Sequence, residues 1–305
     1  MALYLTNVSL MRAQNSLTAS TKSLDTTYQR LSSGQRINSA KDDPAGFMIA
    51  GRLTSQLNGL KQASRNCNDG LSVAQTAEGA MDEISNMLQS LRTLAVQAST
   101  GTYSEDDRKA LTRQAAQLCD EITRISCSTT YAGARILCGV SGLRAGESSL
   151  FNANGSITIQ AGAYQGDKIS INGLKDGFSM ASLAAQLNIT AGTPGYLVDS
   201  DGIARFSLST MDNAEAAIGF IDQYIKQVDS ARSDLGAVQN RLESAIRLND
   251  NCYTNLSDAR SRIMDTDYAE ETANLVRQNI LQQMAMVMMQ RAMEHQNIIL
   301  KLLQG

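Results

Sequence analysis

The chain has 305 residues, with two prolines, no tryptophan, one histidine and a net charge of −3. The charges alternate in sign and form no basic stripe, which argues against a nucleic-acid-binding protein. No run of about 18 apolar residues occurs, so the sequence predicts no transmembrane helix and no membrane partner. The start, MALYLTNVSLMRAQ, lacks the continuous apolar core of a secretory signal peptide.

Residues suited to catalysis are scarce. His295 is the only histidine, which excludes HExxH zinc sites and His-based catalytic triads. The acidic pairs Asp42/Asp43 and Glu270/Glu271 stand at predicted helix starts, where the helix dipole explains them. We therefore expect a protein that is not an enzyme, with no catalytic residues, no cofactor and no metal site.

The N-terminal segment predicts an amphipathic helix over residues 3–32. A leucine occurs at every seventh position: Leu3, Leu10, Leu17, Leu24 and Leu31. This strict repeat favours a narrow seam against partner helices over an ordinary surface helix.

A second long helix is predicted from Pro44 to about Ser99, after a polar linker over residues 32–43. Asp43 can cap its N-terminus, and a proline at the first helical position loses no needed donor. Beyond its first turn the helix contains four glycines, which either permit close helix approach or introduce a local break near Gly70: Gly51, Gly59, Gly70 and Gly79.

A third helix is predicted from the capping box formed by Ser104 and Asp107, and it ends near Ser126. Beyond Gly139, alternating apolar residues predict two short strands, 156–161 and 167–172, joined by a turn. Residues 173–210 are small and polar. We expect them to form a short exposed insertion with one short helix over 180–187.

The longest periodic segment runs from Asp212 to about Met264. An apolar or aromatic residue occupies each stripe position except Asn249, and the pattern holds for about six heptads. At about 1.5 Å per residue the helix is roughly 75–80 Å long. Asp267 and Glu270 then begin a last amphipathic helix that is rich in methionine.

The predicted fold class is mainly α, with long antiparallel helical rods or coiled coils and a small β-hairpin insertion. Three divisions follow: residues 1–40 plus 266–305, residues 41–172 plus 211–265 with the hairpin near 156–172, and residues 173–210. The predicted rod core comprises Leu57, Leu60, Leu71, Leu118, Ile122, Val228, Leu235, Leu242 and Leu256.

Two parts of the chain resemble bacterial flagellins. LSSGQRINSAKDDPAG (31–46) and the segment 53–99 are similar to the N-terminal conserved region. SRIMDTDYAEETANLVRQNILQQ (261–283) and IILKLLQ (298–304) are similar to the C-terminal region. The likeness covers roughly residues 1–140 and 210–305. Departures include Cys67 in place of a usual alanine, and MEHQN (293–297) in place of a proline-containing stretch.

The resemblance implies a subunit that polymerises into the flagellar filament for motility. Its terminal helices would pair as an inner layer, which makes these residues the expected polymerisation seam: Leu3, Leu10, Leu17, Leu24, Leu31, Leu281, Met284, Met288, Ile298 and Leu302. The implied location is extracellular, reached by flagellar type III export without a cleaved signal. The implied partners are other copies of the chain, an export chaperone, and the cap and hook-junction proteins.

The flagellin likeness also implies a host partner, the Toll-like flagellin receptor of animals. The residues expected to face it are Ser90, Arg92, Leu94 and Gln114. Strongly recognised flagellins carry Arg and Glu where this chain has Ser90 and Thr93, and Glu at Gln114. We therefore expect weakened recognition, with Leu94 as the apolar anchor.

Other readings remain open. A hook–filament junction protein with flagellin-like ends is the main alternative, and an enzyme carried on flagellin ends or a pore-forming translocator is more remote. The five cysteines do not form a paired framework, and Cys67 and Cys252 fall on apolar stripes. Outside the cell oxidation is permitted, and Cys127 with Cys138 is then the easiest pair to bridge.

Overall fold

The computed structural model describes residues 8–139, 150–151, 155–190, 192–198 and 203–304, with side chains described as far as residue 294. The helices are α1 (Val8–Ser33), α2 (Pro44–Ser99), α3 (Glu105–Ser128), α4 (Met180–Gln186), α5 (Met211–Met264) and α6 (Tyr268–Gln304). The strands are β1 (Thr130–Tyr131), β2 (Ala134–Arg135), β3 (Ile157–Gln160), β4 (Lys168–Ile171), β5 (Tyr196–Val198) and β6 (Ala204–Phe206). The predicted mainly α fold class is confirmed.

Helix boundaries follow the capping chemistry of the sequence. The side chain of Asp43 accepts a hydrogen bond from the Gly46 N–H at 2.9 Å at the start of α2. A complete capping box joins Ser104 and Asp107 at the start of α3. The Asp107 carboxylate accepts from the Ser104 hydroxyl at 2.7 Å, and these hydrogen bonds lower the pKa of Asp107.

The chain divides into two compact units, Met1–Asn58 with Tyr253–Gly305 and Gly59–Cys252. In the second unit, α2 and α5 run antiparallel, because their contacts move in opposite directions along the chain. Arg92 pairs with Asp222 at 2.6 Å, and Asp82 pairs with Arg232 at 2.8 Å. The antiparallel rods predicted from the heptads are present.

The core of the second unit forms where apolar stripes meet. Six predicted core residues are buried: Leu57, Leu60, Ile122, Val228, Leu235 and Leu242. Leu71, Leu118 and Leu256 are half-buried. By the division above, Leu57 and Leu256 belong to the first unit.

The polar member of the α5 stripe has a specific partner. Asn249 is 5% exposed, and its side-chain amide donates to the carbonyl of Ala161 at 2.8 Å. Ala161 directly follows β3, which pairs antiparallel with β4. The predicted hairpin is therefore present, and Asn249 anchors it to α5.

The segment 173–210 corrects an expectation. Many of its described apolar residues are buried, including Leu174, Phe178, Met180, Leu183 and Phe206, whereas Leu197 and Val198 are exposed. It contains α4 and the β5–β6 hairpin, and β6 lies against α3 and α4. Arg205 on β6 also forms an ion pair with Asp120 on α3 at 2.6 Å. The segment completes the core of the second unit instead of projecting as an exposed insertion.

Candidate polymerisation surface

The first unit contains the two terminal helices, and α1 lies against α6. The buried residues of α1 are Ser20, Leu24 and Thr27, which share one face at helical spacing. Leu10, Leu17 and Leu31 are half-buried. The four described leucines of the sevenfold repeat therefore lie on the covered side of α1.

Much of the contact between α1 and α6 is polar. The Ser20 hydroxyl donates to the Gln278 carbonyl at 3.2 Å, and the guanidinium of Arg30 lies 3.8 Å from the carboxylate of Glu271. Glu271 is buried at 6% exposure, while the Nε of Arg30 is buried without a hydrogen-bond partner among the described residues. The pair is antiparallel, and its polar contacts add less stability than apolar burial would.

The turn between α5 and α6 is held by hydrogen bonds to the residues that follow α1. The Thr266 N–H donates to the Gly34 carbonyl at 3.0 Å, and the Arg36 guanidinium donates to the Ile263 carbonyl at 2.8 Å. Gly34 has φ +69°, a left-handed conformation that glycine adopts without strain. Residues predicted as a polar linker thus pair with this turn.

The outer face of α6 exposes large apolar side chains. Its exposed members recur at spacings of three, four or seven residues, with two adjacent pairs among them, and so cover one side of the helix. We call this the α6 apolar face: Val276, Ile280, Leu281, Met284, Val287 and Met288, each 43% to 58% exposed. These exposed apolar side chains, with the exposed Arg277 among them, form a surface of the kind that marks a protein–protein contact.

The predicted seam residues on α1 and on α6 differ in their exposure to solvent. The described leucines of α1 are covered by intramolecular contacts, whereas Leu281, Met284 and Met288 are exposed at 49%, 55% and 58%. Leu3 and the side chains of Ile298 and Leu302 lie outside the described residues. Sequence reasoning missed Val276, Ile280 and Val287, although their spacing of four and seven residues was a usable signal.

The predicted receptor-facing residues are not all on the surface. Ser90, Arg92 and Gln114 are exposed, and the Arg92 Nε contacts the Asp222 carboxylate at 2.6 Å. Leu94 is only 8% exposed and belongs to the core of the second unit. Intramolecular packing therefore covers most of the side chain that the sequence predicts as an apolar anchor.

Within the described ranges, no three His, Cys, Asp or Glu side chains form a group that could hold a metal ion. Over the same residues, every helix is too short or too polar to cross a membrane. The α6 apolar face is therefore the candidate functional site among the described residues.

The fold has a counterpart among solved structures. A putative flagellar hook-associated protein from Vibrio parahaemolyticus aligns with a TM-score of 0.54 and 15% identity, over 73% of this chain and 100% of its own. At that identity the likeness concerns the fold alone. A flagellin from Bacillus cereus aligns with a TM-score of 0.46 and 27% identity, over 60% of this chain and 88% of its own.

Sequence comparisons extend over nearly the whole chain. Residues 5–141 match the bacterial flagellin N-terminal helical region, and residues 218–303 match the C-terminal helical region. Polar flagellin F of Vibrio parahaemolyticus is 36% identical and flagellin A of Vibrio cholerae 34% identical, each over 98% of both chains. The chain therefore belongs to the bacterial flagellin family, whose members are structural subunits of the flagellar filament.

Proposed function

We propose that this flagellin polymerises through its terminal helices, with the α6 apolar face buried against neighbouring subunits. The exposure of that face carries the proposal. Val276, Ile280 and Met284 are each more than half exposed, and burying the remaining exposed area of one such side chain stabilises a contact by about 1–1.5 kcal/mol, half the value for a fully exposed one. Six such residues on one side of a helix form a natural association surface.

The polarity of the α1–α6 contact supports the same conclusion. The buried side chains of Ser20, Thr27 and Glu271 contribute less to association than apolar side chains would. The α1–α6 pair therefore gains little stability by itself. We expect residues 1–40 and 266–305 to be flexible in the free monomer and helical in the polymer. A contact between unlike surfaces that does not close on itself produces a helical filament.

The proposal is tested by changing the α6 apolar face without disturbing the α1 contact. Met284→Lys places a charge on that face, and burying an unpaired charge costs several kcal/mol in every subunit. The matched control, Met284→Leu, keeps an apolar side chain of similar volume at the same position. We expect Met284→Lys to abolish filaments in electron micrographs and Met284→Leu to leave them intact.

Two readouts separate a failed contact from a failed fold. The circular dichroism of the Met284→Lys monomer should match that of the wild type, because the side chain is exposed in the subunit. Deletion of residues 266–305 should leave a soluble monomer that does not polymerise. Normal filaments from Met284→Lys, or equal hydrogen-exchange protection of both ends in monomer and polymer, would refute the proposal.

The remaining partners follow from family membership. We propose secretion without a cleaved signal peptide, an export chaperone, and contacts with cap and hook-junction proteins at the filament ends. The hook–filament junction alternative predicts a minor component. Quantifying the protein in sheared surface appendages distinguishes the two, because a filament subunit must dominate that preparation.

For the host receptor, we propose weakened recognition caused by the exposed positions alone. Ser90, Thr93 and Gln114 are exposed, and none supplies the charge-assisted hydrogen bonds that Arg and Glu make. The loss of one such contact costs about 1–3 kcal/mol, or roughly a factor of 5 to 150 in affinity. Leu94, which is 8% exposed, stays the predicted apolar anchor, so we expect weakened rather than abolished recognition.

The test compares receptor activation by native monomer with that by a variant carrying Ser90→Arg, Thr93→Glu and Gln114→Glu. We expect the variant to signal at lower concentration. Circular dichroism must show the same helicity for both proteins. Equal potency would show that these positions do not limit recognition.

A further inference from the structure

Two cysteines from different elements meet at the C-terminal end of α3. Cys127 lies in the last turn of that helix, and Cys138 follows β2, eleven positions along the chain. Their Sγ atoms are 3.1 Å apart, and a disulfide bond is about 2.0 Å long. We propose that Cys127 and Cys138 form an intramolecular disulfide once the subunit has left the cell, an inference that rests on the proposed extracellular location.

The surrounding backbone already holds the two sulfur atoms in register. The buried hydroxyl of Ser126 donates to the carbonyl of Leu137 at 2.7 Å. The Ile136 N–H donates to the carbonyl of Thr129 at 3.3 Å, next to the paired strands β1 and β2. Each cysteine is adjacent to a residue of the Ser126–Leu137 hydrogen bond. The sulfur atoms therefore need to approach by only about 1 Å for the bond to form.

Two of the other three cysteines are poor competitors. Cys67 and Cys119 are fully buried, and burial raises the pKa of both thiols, that of Cys119 to about 12. The thiolate is the reactive form, so these two are protected from oxidants. Cys252 is half-buried on α5. Cys127 is also half-buried, so it is more exposed to solvent than Cys67 or Cys119.

The chemistry is thiol–disulfide exchange with a small-molecule or protein disulfide as the oxidant. The Cys127 thiolate attacks one oxidant sulfur, forms a mixed disulfide and releases the first thiol. The Cys138 thiolate then attacks the Cys127 sulfur and releases the second thiol. Two protein thiols lose two protons and two electrons, and the oxidant disulfide leaves as two thiols. The guanidinium of Arg135, whose Nη1 lies 3.8 Å from the Cys138 sulfur, places positive charge beside the second nucleophile.

The disulfide would stabilise the junction between α3 and the segment that leads into α4, within the second unit. The carbonyl of Leu137 accepts from the Phe178 N–H at 2.9 Å, so residues 136–138 connect α3 to the segment that leads into α4. Closing the ring restricts the unfolded chain and stabilises this junction. Thiols persist in a reducing cytosol, whereas disulfides form outside the cell. The disulfide would therefore appear after export.

The test uses the purified full-length monomer, incubated with oxidised glutathione, alkylated without reduction and digested with trypsin. Cleavage after Arg124, Arg135 and Arg144 separates the two cysteines into peptides 125–135 and 136–144. We expect these peptides to be joined by a disulfide in monomeric protein. We also expect a melting temperature roughly 5–10 °C above that of the reduced form.

Cys127→Ser should abolish the joined peptide and the shift in melting temperature, whereas the control Cys252→Ser should retain both. The proposal is overturned if Cys127 and Cys138 are both alkylated after oxidation, or if either is joined to another subunit. The same mapping on sheared filaments separates the two proposals. Filaments in which both thiols are alkylated would refute the bridge alone, and a closed monomer that never forms filaments would refute the polymerisation proposal alone.

Discussion

Gly70 offers a quantitative test of how closely α2 and the β3–β4 hairpin approach. Helix α2 runs through Gly70 without a break, so of the two sequence-based interpretations the structure supports close approach. A Cβ at this position would overlap Ile159 Cδ1 and lie 3.2 Å from Ile159 Cγ1. Alanine gains about 1 kcal/mol over glycine inside a helix, but overpacking a core costs about 1–3 kcal/mol. We expect Gly70→Ala to destabilise the protein by about 1 kcal/mol.

The matched control is Gly79 in the same helix, which is exposed and has no atom within 4 Å of an added Cβ. Gly79→Ala should stabilise the protein by roughly 0.5–1 kcal/mol, because only the helix propensity changes. Ile159→Val removes the overlapping methyl group and by itself costs about 0.5–1.5 kcal/mol. In that background Gly70→Ala should become stabilising.

Urea unfolding monitored by circular dichroism provides the four free energies of the double-mutant cycle. The expected signature is a coupling of about 1 kcal/mol or more between positions 70 and 159, with no coupling between 79 and 159. If Gly70→Ala stabilises the wild-type protein as much as Gly79→Ala does, contact with Ile159 is not the reason that position 70 holds a glycine.

Three further substitutions probe other contacts. Leu24→Asp should prevent filament assembly while the monomer is still secreted, since a carboxylate in the α1 seam costs several kcal/mol; normal filaments would show that the seam faces solvent. Asn249→Leu should lower stability by about 1–3 kcal/mol, because the Ala161 carbonyl loses its donor; an unchanged urea midpoint would contradict this. Tyr224→Phe should raise stability by about 1 kcal/mol, since its buried hydroxyl has no hydrogen-bond partner among the described residues, and a lower melting temperature would show that the hydroxyl is satisfied.

The long helices could be predicted because their determinants are local. The heptad stripe of α5, the capping box at Ser104 and the proline that begins α2 each involve residues within a few turns of one another. The β3–β4 hairpin was found for the same reason, since period-two alternation and a glycine-containing turn are short-range signals. Element type and approximate length therefore followed from the sequence.

The contacts that decide burial could not be predicted in the same way. The β1–β2 and β5–β6 pairs have only two or three residues per strand, which is too short for a periodic signal. Phe178, Met180 and Phe206 lie in a mainly small and polar segment, and only the fold shows that α3 and its neighbours cover them.

The burial of the candidate site residues could not be predicted for the same reason. Periodicity identifies the apolar stripe of a helix but does not specify whether another part of the same subunit covers it. Leu94 and Met284 both lie on apolar stripes, yet Leu94 is 8% exposed and Met284 is 55% exposed. The amino-acid sequence determined which residues share a helix face. The tertiary structure decided which face is already buried within the subunit and which remains exposed, because burial depends on contacts between residues far apart in the chain.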